Sequence, residues 1–113
     1  FGDGKQTRDF TYIDDIIHGI SRTLDLKEKK YRIFNLGGGS RISMNEVLEI
    51  VKDLTEKKLK IKQIEKKKGD VKDTFSSNQL SKKILGYNPR YNISDGLSSQ
   101  LDWMKSNLKL FQA

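Results

Sequence analysis

Apolar positions along this chain fall into short runs of period two and longer runs of period 3.6, the mixture expected of alternating strands and helices. Residues 8–12 alternate charged or polar with aromatic side chains, which places Phe10 and Tyr12 on one face of a short strand. Ile13, Ile16, Ile17, Ile20 and Leu24 then recur at helical spacing, with Asp14 as the expected N-cap and an end near Leu26. Tyr31 to Leu36 reads as a second strand and runs into the glycines Gly37–Gly39. Ser43-Met44-Asn45-Glu46 has the form of a capping box, and Met44, Val47, Leu48, Val51 and Leu54 carry the apolar stripe of the helix it opens. Leu59 and Ile61 alternate with lysines as in a half-exposed strand, and residues 66–74 read as a loop. Ser77 is the expected cap of a short helix through Leu85, stopped by Gly86 and Pro89. A last helix is expected from Ser94 or Asp95, with Leu97, Leu101, Met104 and Leu108 on one side.

These elements predict a mixed α/β fold of about four helices and a few short strands. The length of 113 residues suggests one domain, residues 1–113, and no linker or repeat divides it. No apolar run approaches the ~20 residues of a membrane span, and the first residues lack the basic-then-apolar order of a signal peptide. The first residue is Phe rather than Met, as in an excised piece of a longer protein.

Charge adds one feature. The formal net charge is +7, and between Lys57 and Lys72 eight Lys face only Glu65 and Asp70. Such a run attracts polyanions by counterion release. A solvated lysine-rich surface is the plainer reading, because no helix-turn-helix, zinc-finger or RNP-like motif accompanies it.

Most catalytic constellations are missing. Cysteine is absent and His18 is the single histidine, which removes thiolate chemistry and the usual zinc sites. By helical count His18 flanks the apolar stripe, at a surface or edge position. Neither a G-x-S-x-G nor a P-loop occurs. Asp14 and Asp15 are adjacent, so they diverge around a helix and read as cap and first-turn charge. Gly37–Gly39 sits between a strand and a helix, as a dinucleotide fingerprint would, but Ile42 stands where the third glycine belongs. These glycines are better read as a turn with positive φ.

One long motif remains. Phe1-Gly2-Asp3-Gly4-Lys5-Gln6-Thr7-Arg8-Asp9-Phe10-Thr11-Tyr12-Ile13-Asp14-Asp15 resembles the substrate-binding part of extended short-chain dehydrogenases, the NAD-dependent nucleotide-sugar epimerases and dehydratases. Four further blocks resemble the family in the same order: Tyr31 to Gly37, Gly69-Asp70-Val71 followed by Ser76 to Lys82, Leu85-Gly86-Tyr87-Asn88-Pro89, and Asp95-Gly96-Leu97 with Trp103. The resemblance implies the small substrate-binding subdomain of such an enzyme, without its Rossmann NAD-binding domain. The family's catalytic Tyr and Lys lie four apart on a helix. The residues four after Tyr12, Tyr31, Tyr87 and Tyr91 are Ile16, Asn35, Tyr91 and Asp95, so this pair is not in the chain.

By the same resemblance, Arg8 grips the nucleotide diphosphate, Asp70 accepts from ribose hydroxyls and Phe1 lies beside the uracil. Lys67 stands where the family often has a second arginine. The Asp of the family's helix-opening block is Asn78 or Ser77 here. Without the resemblance, Arg8 reads as an ion-pair partner of Asp9 or Asp15, Asp70 as a turn residue, and Phe10, Tyr12 and Trp103 as core. The implied whole is a cytoplasmic, homodimeric, NAD-dependent UDP-sugar 4-epimerase with the Rossmann domain upstream; a dehydratase or decarboxylase of the family is the alternative. NAD belongs to the intact enzyme and not to this chain alone. A reading of another class is a stand-alone basic module that binds nucleic acid or another polyanion.

Overall fold

The computed structural model describes residues 2–27, 32–66 and 68–111. Its elements are β1 (Thr7–Asp9), α1 (Ile13–Thr23), β2 (Arg41–Ser43), α2 (Met44–Thr55), α3 (Gln79–Leu85) and α4 (Ile93–Ser106), followed by a 3-10 turn at Leu108–Phe111. The fold is mixed α/β, as the periodicities predict. Strand β1 lies antiparallel to β2, in the register Thr7 to Ser43, Arg8 to Ile42 and Asp9 to Arg41. On its other side Thr7 bridges Asp73 in parallel, its N–H donating to Lys72 O and its carbonyl accepting from Thr74 N–H. Part of the expected 66–74 loop therefore flanks β1.

Local chemistry accounts for the helix ends. The Ser43 hydroxyl accepts from Glu46 N–H while the Glu46 carboxylate accepts from Ser43 N–H, so α2 opens with the expected capping box. Asn92, not Ser94 or Asp95, caps α4 by accepting from Asp95 N–H. The N-cap of α1 is Tyr12, so Asp14 falls within the first turn, two residues past the cap, and the helix stops at Thr23. Asn78 rather than Ser77 precedes α3, and Gly86 ends that helix in the left-handed region.

Helix α1 packs on α3, and α2 packs on α4 and β2. Among the described residues the buried apolar core is small: Val47, Leu85 and Tyr87. Two polar side chains among the described residues are as deeply buried, Asp15 and Ser81. Asp15 accepts from the N–H groups of Arg90 and Tyr91 and so ties α1 to the approach of α4. Ser81 donates to Asn35 O.

Three expectations fail. Among the described residues, 32–36 and 59–62 belong to no strand, because neither segment meets a partner edge. Phe10 and Trp103 are exposed rather than core, while Tyr12 is half-buried against Tyr91 with ring centroids 4.7 Å apart. The glycine run is not a uniform positive-φ turn, since only Gly39 has φ near +81°. Gly37 and Gly38 serve close approach instead: a Cβ on Gly38 would stand 2.2 Å from Phe10 O, and one on Gly37 2.5 Å from the Ser76 side chain.

Candidate functional site

The cleft that gathers charged side chains is built around β1. The alternation of a strand sends neighbouring side chains to opposite faces, and Arg8 and Asp9 separate accordingly. Asp9 turns to the glycine strap, accepting from Gly38 N–H at 2.8 Å and Ser76 N–H at 3.2 Å. Arg8 turns the other way. Its Nη1 donates to Thr7 O (2.8 Å) and Lys72 O (3.2 Å), and its Nη2 donates to Asp70 Oδ1 at 2.8 Å. Both ends of this ion pair are partly open, 28% and 31% exposed, so a ligand can reach them.

Asp70 of this pair lines a cleft of about 600 Å³ together with Gly2, Asp3, Lys5, Gln6, Lys66 and Lys72, and Arg8 adjoins it through the bond to Asp70. Its floor is a backbone loop held from two directions. Gly2 N–H donates to Ile64 O, and the Gln63 amide donates to Gly2 O. Asn45, at the start of α2, gives its backbone N–H to Gly4 O and its side-chain amide to Asp3 O. Gly4 must lack a Cβ, which would overlap the Asn45 side chain. The Asp3 carboxylate accepts from Lys5 N–H, and this bond holds its pKa below the ordinary value. Among the described residues three lysines (Lys5, Lys66, Lys72) line the cleft with two acids (Asp3, Asp70), Arg8 is bonded to Asp70 beside them, and the surplus of positive charge favours an anionic ligand.

Of the residues singled out in the sequence, Arg8 and Asp70 are brought into direct contact across 62 positions of chain. Phe1 and Lys67 lie outside the described residues. Arg8 pairs with neither Asp9 nor Asp15, because both carboxylates are spent on backbone amides. His18 sits half-buried on α1, away from the cleft-lining residues. Lys5 carried no sequence signal of its own, whereas Lys66 and Lys72 belong to the basic run. Among the described residues no group of three His, Cys, Asp or Glu side chains could hold a metal ion, and no helix is long and apolar enough to cross a membrane.

A second polar cluster steadies the strap that crosses the fold at Gly37. The Asn78 side chain binds it twice, accepting from Gly37 N–H and donating to Gly37 O, both at 2.9 Å. The Tyr87 hydroxyl donates to the same carbonyl at 3.0 Å. Burial, then the nearby Asp15 and Asp9 carboxylates, pushes the Tyr87 phenol above its ordinary pKa. With Gly37 and Gly38 pressed against Ser76, Asp9 and Phe10, this glycine run has no open cradle for a dinucleotide phosphate.

Comparisons with known proteins agree with this architecture. The model of the NAD dependent epimerase/dehydratase family matches residues 1–37. The chain is 43% identical, over its whole length and 35% of the relative's, to the UDP-glucuronate 4-epimerase of Thermodesulfobacterium geofontis. It is 37% identical to the GDP-mannose 3,5-epimerase of Arabidopsis thaliana, over 96% of this chain and 28% of that one. The solved UDP-glucuronic acid 4-epimerase of Bacillus cereus, in complex with UDP-glucuronic acid and NAD, superposes with a TM-score of 0.88 at 32% identity, covering 95% of this chain and 34% of that one. The chain spans about a third of the length of the curated relatives it matches, and in the solved epimerases the matching part is the C-terminal region.

Proposed function

Because the chain belongs to the NAD dependent epimerase/dehydratase family, we propose that it is the nucleotide-sugar-binding part of a longer NAD-dependent UDP-sugar 4-epimerase. The observation that carries this reading is the state of Arg8. Three of its N–H groups are committed to Asp70, Thr7 O and Lys72 O, which fixes the plane of the guanidinium. Nε–H and one Nη2–H have no partner among the described residues, and a guanidinium edge can grip a phosphate by two bonds at once.

In this reading Arg8 donates to the diphosphate, and Lys5, Lys66 and Lys72 neutralise its remaining charge. Asp70 has a divided role: Oδ1 holds Arg8, and Oδ2 is left to accept from a ribose hydroxyl. Anchoring the nucleotide leaves the sugar free to turn while its position stays bounded, the condition for returning hydrogen to the opposite face of the sugar. No Tyr of this chain is followed four residues later by Lys. The dinucleotide does not fit the packed strap at Gly37 and Gly38. Proton transfer and NAD binding are therefore assigned to the remainder of the polypeptide.

Calorimetric titration of the chain with UDP, GDP and a short RNA tests the proposal. UDP should bind, and Arg8→Ala should weaken it by about tenfold or more, since one charge-assisted hydrogen bond is worth about 1.5–3 kcal/mol. Arg8→Lys should lose most of the same affinity, because an ammonium cannot replace the fork. Equal UDP affinity in Arg8→Ala would refute the assignment. RNA binding without UDP binding would favour a basic polyanion module.

A further inference from the structure

We infer that Lys57, Lys58, Lys60 and Lys62, which do not line the cleft, gather nucleotide diphosphates from solution for it, so that they set the association rate and leave the dissociation rate unchanged. This deepens the reading of the cleft as a nucleotide-sugar site and rests on it.

The net charge of the chain is gathered in one stretch. Between Lys57 and Lys72 eight Lys stand against Glu65 and Asp70, which puts six of the seven net positive charges into this run. The charge of Asp70 is in turn met by Arg8. Each described lysine of the run is exposed, and none has a carboxylate at ion-pair distance among the described residues. Exposed lysines elsewhere do pair, Lys52 with Glu49 at 2.9 Å and Lys105 with Asp102 at 4.0 Å. Unpaired charge of one sign beside a cleft raises the local concentration of the opposite ion and steers it inward.

The run is stitched to the cleft at two points. Gly2 N–H donates to Ile64 O at 2.8 Å, and the Gln63 amide donates to Gly2 O at 2.9 Å. Further along, the Lys72 carbonyl accepts from Thr7 N–H and from Arg8 Nη1. Lys66 and Lys72 thereby reach the cleft wall, and residues 57–62 lead directly into the anchored Gln63. Even fully extended, the six steps from Lys57 to Gln63 span at most about 21 Å. That is inside the Debye length of about 30 Å at 0.01 M salt and well beyond the roughly 8 Å at 0.15 M. The pull of these four lysines on an anion in the cleft therefore depends steeply on ionic strength.

The makeup of the run suits small phosphate anions better than nucleic acid. No aromatic residue occurs between Lys57 and Lys72, so nothing there can stack on a base, and stacking carries much of the affinity of single-strand sites. Among the described residues the run also belongs to no helix or strand that could enter a groove.

The test compares the nitrogen-labelled chain with a variant carrying Lys57→Gln, Lys58→Gln, Lys60→Gln and Lys62→Gln. Each is titrated with UDP, and amide line shapes give the association and dissociation rates at low, physiological and molar salt. At 0.01 M salt the variant should associate about tenfold more slowly. Its dissociation rate should stay within about twofold of the parent's, which also shows that the cleft is intact. The difference should close at 1 M salt, where the Debye length is about 3 Å. Equal association rates at 0.01 M, with UDP still bound and still lost in Arg8→Ala, would overturn the inference and leave the nucleotide reading standing. Faster dissociation in the variant would overturn it by making these lysines direct contacts. A short RNA that binds the parent more tightly than UDP, and fails to bind the variant, would overturn it in favour of a nucleic-acid surface. No UDP binding by the parent would sink both readings.

Discussion

Replacing Asn78 by Asp changes one atom and puts a charge where the fold needs a donor. The Asn78 amide accepts from Gly37 N–H and donates to Gly37 O, each at 2.9 Å and partly buried. An aspartate keeps the first bond and loses the second, at a net cost of about 1 kcal/mol. Its second oxygen then faces a carbonyl oxygen at hydrogen-bond distance, and a charged acceptor left unpaired there costs about 2 kcal/mol more. The expected destabilisation near neutral pH is about 3 kcal/mol. Only the ionised form suffers these losses, so the new carboxyl should have a folded pKa raised above its unfolded value of about 3.9. With a raised folded pKa, the variant's stability is fully present below the unfolded pKa. It is lost as pH rises through the folded one, here across about pH 4 to 6. Urea titrations followed by circular dichroism, on parent and Asn78→Asp at several pH values, would measure this. The difference between the two should shrink below about 1 kcal/mol near pH 3, where a protonated Asp can again donate. Asn78→Ala should cost about 2 kcal/mol at every pH. A penalty for Asn78→Asp that is absent at neutral pH, or the same at both ends, would refute the two-way clamp.

Other consequences are as definite. Gly38→Ala should cost about 3 kcal/mol in the same urea assay, because its Cβ would meet the backbone oxygen of Phe10 at 2.2 Å, which no side-chain rotation relieves. Asp15→Ala should cost about 3 kcal/mol by leaving the N–H groups of Arg90 and Tyr91 without their acceptor; a loss under 1 kcal/mol would mean water replaces it. Asp3, Glu46 and Asp73 are held below their ordinary pKa by bonds from Lys5 N–H, the Ser43 hydroxyl and amide, and the Thr7 hydroxyl respectively. Their folded values are depressed, so their stabilisation is present above about pH 4 and lost as pH falls through the folded pKa values. Tyr87 is raised by burial and nearby carboxylates, so its contribution is complete below about pH 10 and disappears above it. A pH series of melting curves that stayed flat at both ends would contradict these assignments.

What could be read from the sequence was whatever depends on neighbours in the chain. The capping box of α2 needs only Ser43 and Glu46, three residues apart, and it forms as expected. The glycine stop after α3 is equally local. Strand pairing is not local. Residues 32–36 and 59–62 have the alternation of strands, but alternation says which face a residue takes and nothing about whether an edge is available. The α1 stripe shows the same limit, since spacing reveals an apolar ridge while burial depends on what lies opposite. Its isoleucines are exposed because the described residues place nothing over them. Caps failed where several Ser, Asn and Asp residues cluster, so that Asn78 and Asn92 take places expected of Ser77 and of Ser94 or Asp95.

The cleft was legible only through family resemblance. Arg8 and Asp70 are 62 residues apart, and no local pattern predicts their meeting. They meet because segment 72–74 runs parallel to Thr7 and carries Asp70 past the guanidinium. Lys5 enters the cleft through the bend that Gly4 permits against Asn45, a contact that no residue count along the chain anticipates.

The central claim is that a nucleotide diphosphate sits on Arg8. Nitrogen-labelled chain titrated with UDP and observed by amide NMR reads that location directly. Shifts should concentrate at Gly2–Arg8, Lys66 and Asp70–Lys72, with the Arg8 Nε–H signal moving most, and Arg8→Ala should abolish them. Shifts centred on α2 and α4 or spread over the lysine run, unchanged in Arg8→Ala, would contradict the account.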